Sequence, residues 1–114
     1  MNSQQTRIET LEPAEVARLI EAGKLLLIDV REPSEYAAER IHGALLYSLS
    51  TFDANTLPSD GPRQVLFHCG SGKRSLAAAE KRLAAGQPAA SHMKGGLTAW
   101  KAAGLPIIAP APSS

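Results

Sequence analysis

The residues best suited to chemistry lie together in HCGSGKRS, His68 to Ser75. The stretch holds the chain's only cysteine, a Gly-Ser-Gly turn, adjacent Lys73 and Arg74, and a serine opening an alanine-rich segment. Three chemistries compete for it. A nucleotide-phosphate loop needs Gly, four residues, then Gly-Lys-Ser/Thr, but Arg74 follows Lys73 and Phe67 stands where the first glycine belongs. The dinucleotide pattern fails too, because Ser75 occupies the third glycine position. A thiolate metal cage needs several cysteines, and His42, His68 and His92 are scattered. His68 adjoins Cys69, but neighbouring strand residues point to opposite faces and chelate poorly. The three histidines therefore read as surface or partly buried side chains, and no metal is expected.

The third chemistry is an activated thiol. Gly70 and Gly72 permit positive φ, so successive amide N–H groups can turn inward as an anion-binding nest. A helix opening at Ser75 would add the positive end of its dipole, and Lys73 and Arg74 would add full charges. Each influence favours the ionised sulfur. A free cysteine titrates near ~8.5, and such surroundings lower that value to roughly 3.5–7.5. Cys69 is thus read as a nucleophile, with Gly70, Ser71, Gly72, Lys73, Arg74 and Ser75 as its loop.

The elements around the loop must hold it at one edge. Apolar runs at Lys24–Val30, Ala44–Ser48, Gln64–Cys69 and Ala89–Met93 have the length and continuity of strands buried on both faces. Between them come helical segments. Pro13–Ala22 puts Val16, Leu19 and Ile20 on one face, and Pro33–Glu39 is a turn or two. Ser75–Ala85 opens on a capping residue and aligns Leu76, Ala79 and Leu83; Leu97–Ala103 turns Leu97 and Trp100 inward. Strands alternating with helices predict an α/β domain with a mostly parallel sheet and helices on both faces. Sites in such sheets form at the carboxyl ends of strands. Asp29-Val30-Arg31 and Cys69-Gly70 both stand at strand ends and are expected at the same edge.

The whole chain sets outer bounds. Its 114 residues suit one domain, expected over residues 8–107, with a flexible N-terminus (1–7) and a Pro/Ala/Ser tail (108–114) that reads as a frayed end or linker. A formal net charge of +1 offers no global attraction to nucleic acid or an anionic membrane. No apolar run approaches the roughly 20 residues of a bilayer span. A lone cysteine and a polar N-terminus without signal architecture predict a cytoplasmic protein.

Three stretches in order resemble the rhodanese family of single-domain sulfurtransferases. LLLIDVREPSEYAAERIHGA (25–44) is similar to the first signature, VLFHCGSGKRS (65–75) to the active-site loop, and MKGGLTAWKAAGLPI (93–107) to the closing signature. One departure stands in the turn Arg40-Ile41-His42-Gly43-Ala44, where the family has proline in place of His42. The loss costs the turn rigidity, and His42 is expected at the surface. The resemblance implies a five-stranded parallel sheet and persulfide chemistry without a cofactor. Cys69 would take a sulfane sulfur from a small anionic donor such as thiosulfate and pass it to cyanide, a thiol or a protein acceptor. Arg74 would close and orient the loop through side-chain hydrogen bonds, with Lys73 as an electrostatic contributor or solvated at the rim. Asp29 would fix a loop or pair with a cation. Arg31 would contact the anionic donor or form a surface ion pair. Trp100 and the Gly95-Gly96 pair would be architectural. Two alternatives share the fold: a phosphatase or arsenate reductase, whose loop resembles Cys-x5-Arg rather than the Cys-x4-Arg found here, and a non-catalytic binding module.

Overall fold

The structure is a computed structural model that describes residues 7–110. Five parallel strands form one sheet: β1 (Arg7–Leu11), β2 (Leu25–Asp29), β3 (Leu45–Leu46), β4 (Gln64–His68) and β5 (Ala89–Met93), in the order β1-β5-β4-β2-β3. The helices are α1 (Pro13–Glu21), α2 (Pro33–Ala38), α3 (Lys73–Ala84) and α4 (Gly96–Ala102), with 3-10 turns at Leu49–Thr51 and Ala54–Thr56. This is the expected α/β architecture. Residues 1–6 and 111–114, which include most of the expected flexible N-terminus and tail, lie outside the described residues. Arg7, placed with the flexible end by the sequence reading, already pairs with Ala89 in β1. Ile108, placed with the tail, exchanges backbone hydrogen bonds with Arg40 at 2.7 and 2.9 Å.

The unbroken apolar runs arise because both sheet faces are covered. Leu25, Leu27, Leu66 and Met93 pack with Val16 of α1 and Leu97 and Trp100 of α4. The alternate residues Ile28, Val30, Val65, Phe67 and Cys69 pack against Ala78 and Ala79 of α3. Strand alternation therefore sends Cys69 to the α3 face and its neighbour His68 to the other. Trp100 is buried, and its indole N–H donates to Pro106 O at 2.8 Å.

Three expectations need correction. The strand expected over Ala44–Ser48 is only Leu45–Leu46, because the edge pairs with β2 through Ile28 and Asp29 alone. Helix α3 starts at Lys73 rather than Ser75, with Gly72 as its N-cap at φ +107°. Its buried face carries Ser75, Ala78, Ala79 and Arg82, while Leu76 points outward at 39% exposure. The face turns toward Arg82 because that guanidinium is held beneath the Pro58–Asp60 loop, donating to Pro58 O (3.0 Å) and Asp60 Oδ1 (3.1 Å). The turn bearing His42 is closed by Ala44 N donating to Ile41 O at 3.1 Å; Gly43 adopts φ +87° and His42 is exposed.

Candidate active site

The loop between β4 and α3 wraps the Cys69 sulfur. Gly72 N–H donates to Sγ at 3.0 Å and Ser75 N–H at 3.3 Å. Burial pushes the Cys69 thiol up, but the Ser75 amide and hydroxyl and the Gly72 and Ser71 amides outweigh it, so the thiol is lowered from its ordinary value. These donors sit at the first turn of α3, where orphan amides already favour an anion. The arrangement stabilises a thiolate through backbone dipoles.

The loop amides face the sulfur because another element captures the loop carbonyls. Leu97 N–H donates to Cys69 O at 2.7 Å and Thr98 N–H to Gly70 O at 3.1 Å. Both donors belong to the first turn of α4, which docks so closely that Gly96 has no room for a side chain. A Cβ there would meet Cys69 O and would stand 2.6 Å from Gly70 C. Gly95 and Gly96 also hold φ +71° and +60°. The sequence reading credited this pair with freeing the chain to turn; the structure adds the contact that shapes the loop.

The two cations sit differently around the loop. Lys73 is exposed, with no hydrogen bond or ion pair among the described residues. Arg74 lies beside Gly70 and makes two hydrogen bonds to Glu35, at 2.7 and 3.0 Å. Hydrogen bonding to Arg74 is the main cause that holds the Glu35 carboxyl down, to about 2, and Glu35 in turn raises the Arg74 guanidinium. The sulfur is thus served chiefly by hydrogen bonds rather than by the two full charges. Glu35 was missed in the sequence, although one signal was there. Glu32 and Glu35 bracket Pro33-Ser34 at capping-box spacing, and both reciprocal bonds of that box form, including Glu32 N to Glu35 Oε1 at 3.0 Å. The cap of α2 is also the anchor of Arg74.

Asp29 and Arg31 are brought to the same sheet edge as Cys69, since Asp29 registers with His68. The Asp29 carboxylate accepts from Arg31 N at 3.0 Å and from the Arg31 guanidinium at 2.8 to 3.2 Å. Arg31 also donates to Glu39 O at 2.6 Å. It is only 4% exposed, so the expected surface ion pair is a buried one; a carboxylate with no solvent exposure needs such a partner. One edge of Arg31 lines a shallow pocket of about 270 Å³ with Gly70, Thr98 and Lys101.

The histidines at the site are more buried than expected. His68 has no exposed surface and its Nε2 lies 3.5 Å from Asp29 Oδ2. Burial is the main cause that lowers it. His92 is on the Cys69 face, 2.9 Å through Nδ1 from Ser75 Oγ. No cluster of metal-ligating side chains occurs among the described residues.

Known proteins resemble this chain in sequence and fold. The family profile of the Rhodanese-like domain matches residues 12–103. An uncharacterized protein of Synechocystis is 36% identical over 107 residues, covering 94% of this chain and 59% of that protein. A sulfurtransferase of Allochromatium vinosum is 33% identical over 93 residues, covering 82% of this chain and 87% of the relative. Among solved structures, a rhodanese-related protein of Thermoplasma volcanium superposes with a TM-score of 0.74 at 25% identity, covering 88% of this chain and 97% of that one. A Rhodopseudomonas palustris protein of unknown function, described as a possible tyrosine phosphatase, gives 0.76 at 28% identity and coverages of 89% and 85%. With the family profile spanning most of the chain, this protein belongs to the rhodanese-like domain family.

Proposed function

We propose that the chain is a sulfurtransferase that carries a sulfane sulfur on Cys69. The observation that carries this reading is the pair of backbone amides, Gly72 N–H at 3.0 Å and Ser75 N–H at 3.3 Å, that donate to the Cys69 sulfur and favour its ionised form. In the first half-reaction the thiolate attacks the outer sulfur of thiosulfate. A Cys69–sulfur bond forms, the donor's sulfur–sulfur bond breaks, and sulfite leaves with that electron pair. In the second, cyanide or a thiolate attacks the outer sulfur of the persulfide and Cys69 departs as thiolate. The amides on Sγ hold its charge before the attack and again as Cys69 departs, so both thiolate states meet donors already in place.

Each loop residue has a stated part. Gly70 and Gly72 allow the curl, and the amides of Ser71, Gly72 and Ser75 hold the anion. Arg74, clamped by Glu35, fixes the loop from outside, and its guanidinium lies close enough that a Cβ on Gly70 would stand 3.3 Å from Nη2. Asp29 and Arg31 brace the sheet edge. Lys73 and the pocket edge of Arg31 attract the anionic donor. Cys69 has no exposed surface at rest, so the donor reaches it as the Ser71–Lys73 rim parts.

The geometry disfavours the phosphatase alternative. Phosphoryl chemistry needs a cation on the transferred oxygens. Here Arg74 is pulled toward Glu35 by bonds from both terminal nitrogens, and the Cys-x4-Arg loop is one residue shorter than Cys-x5-Arg, which leaves a smaller anion site. The deciding assay is thiosulfate:cyanide sulfur transfer by wild type and Cys69→Ala, with aryl phosphate hydrolysis run alongside. Turnover of thiosulfate lost in Cys69→Ala is the expected result. Equal rates for the two proteins, or saturable phosphatase activity that depends on Cys69, would overturn the assignment.

A further inference from the structure

We propose that His92 is a positioning residue for the active-site loop: it aims the Ser75 hydroxyl at the Gly72 carbonyl and so ties together the two residues whose amides hold the sulfur. The proposal deepens the sulfurtransferase reading and rests on Cys69 being the nucleophile. Gly72 and Ser75 each donate a backbone N–H to Sγ, at 3.0 and 3.3 Å. The same two residues are joined by a further bond, the Ser75 hydroxyl donating to Gly72 O at 3.1 Å. Gly72 needs that restraint, because a glycine at φ +107° has wide backbone freedom and no side chain with which to cap α3. The other hydrogen bond to its carbonyl among the described residues comes from Leu76 N–H, at 3.1 Å. Behind Ser75 lies His92 of β5, with Nδ1 2.9 Å from Ser75 Oγ. On the far side of the ring, Nε2 lies 3.3 Å from Oγ1 of Thr10, the residue that registers with His92 across β1 and β5. Ser75 has no exposed surface and His92 only 7%, so water has little access to these bonds.

Counting protons fixes the direction of this chain. The Ser75 hydroxyl has one proton to give. Spent on Nδ1, it is lost to Gly72 O, and the three contacts hold two hydrogen bonds. With the ring proton on Nδ1 instead, Nδ1–H donates to Ser75 Oγ, and the hydroxyl donates to Gly72 O. Nε2 then accepts from the Thr10 hydroxyl, and all three contacts are hydrogen bonds. A neutral ring protonated on Nδ1 is the form these distances fit, and burial, which holds the imidazole below its ordinary value, favours the neutral ring. Each donor in such a chain polarises the next, which strengthens the bond on Gly72 O. Without a donor at position 92, the buried Ser75 oxygen loses its partner and nothing commits the hydroxyl to Gly72. His92 thus acts on the sulfur through the backbone of the loop.

Nitrogen-15 NMR of the His92 ring in wild type, at a pH above the ring's own midpoint, tests the direction. The ring proton is expected on Nδ1; a proton on Nε2 would overturn the proposal. Iodoacetamide labelling of Cys69 near neutral pH tests the consequence. His92→Phe removes the donor, and labelling is expected to slow about three- to tenfold, the worth of one hydrogen bond. His92→Asn, whose amide nitrogen replaces Nδ1 as donor to Ser75, is expected to recover the rate. Ser75→Ala keeps its backbone amide on the sulfur and should match His92→Phe, with the double variant no slower than either. Wild-type labelling in folded His92→Phe, a His92→Asn no faster than His92→Phe, or losses that multiply in the double variant would also overturn it. Persulfide formation from thiosulfate, followed by mass in the same samples, separates the two claims. A persulfide on a protein whose ring carries its proton on Nε2 sinks the positioning role alone. The expected tautomer and slowed labelling, with no persulfide on wild type, sink the sulfurtransferase reading alone.

Discussion

Gly96→Ala probes how the loop is shaped, and Gly104→Ala supplies its control. Both glycines sit at positive φ, +60° and +77°. A left-handed residue with a Cβ costs about 1–2 kcal/mol. At Gly104 that is the whole penalty, since nothing lies within 4 Å of a built Cβ. At Gly96 the Cβ would meet Cys69 O and stand 2.6 Å from Gly70 C, both backbone atoms that no rotamer change can move. Overpacking of this kind adds about 1–3 kcal/mol. Gly96→Ala is therefore expected to cost about 2–5 kcal/mol in all. At ~4 °C per kcal/mol for a domain of this size, Tm falls roughly 8–20 °C for Gly96→Ala and roughly 4–8 °C for Gly104→Ala. Chemistry should separate the pair further. Pushing the Cys69–Gly70 peptide away from α4 loosens the Leu97 and Thr98 hydrogen bonds and splays the amides from the sulfur. Iodoacetamide labelling of Gly96→Ala should shift its midpoint up toward that of free cysteine, while Gly104→Ala follows wild type. Equal Tm losses with unchanged labelling profiles would refute the role given to α4.

Other residues yield shorter tests. Asp29→Asn leaves the buried Arg31 charge without its carboxylate and should cost about 3–5 kcal/mol in urea unfolding. Glu35→Gln frees Arg74 from a half-exposed pair, so stability should change by under ~1 kcal/mol, while sulfur transfer kcat/KM drops about ten- to a hundredfold from loop misplacement. The depressed carboxyl of Glu35 also predicts a pH dependence. Its contribution is complete above the unfolded carboxylate range and is lost as pH falls through about 2. Acid unfolding of Arg74→Met should lack that component, and an identical acid limb would contradict the pairing. Lys73→Met should leave the Cys69 labelling midpoint in place, because an exposed cation is screened and the backbone does the stabilising. His42→Pro should raise stability by about 0.4–1 kcal/mol by stiffening the turn before Gly43, read by urea midpoint.

Much of the fold was legible because burial on both faces leaves unbroken apolar runs. Leu25–Asp29, Gln64–His68 and Ala89–Met93 fall where those runs lie. Strand β1 was not read from pattern. Arg7-Ile8-Glu9-Thr10-Leu11 is an edge strand with charged residues facing water, and only the family resemblance implied a fifth strand. The start of α3 was misjudged because Ser75 looks like a cap, whereas Gly72 at positive φ ends the loop earlier and Ser75 turns its hydroxyl to Gly72 O and His92. Adjacent cations drew attention to Lys73 and Arg74, but charge type does not reveal a partner. Glu35 stands 39 residues from Arg74 in the chain. The tight approach of Gly96 to the Cys69–Gly70 peptide and the link from Ser75 to His92 are likewise tertiary, and spacing along one sequence does not contain them.

The central claim is that Cys69 carries the transferred sulfur. Intact mass spectrometry of the protein after brief exposure to thiosulfate and removal of excess donor tests it most directly. A gain of about 32 Da, one sulfur atom on the nucleophile, is predicted for wild type. The gain should vanish on adding cyanide and be absent from Cys69→Ser. A wild-type mass unchanged by thiosulfate, or the same gain in Cys69→Ser, would contradict the account.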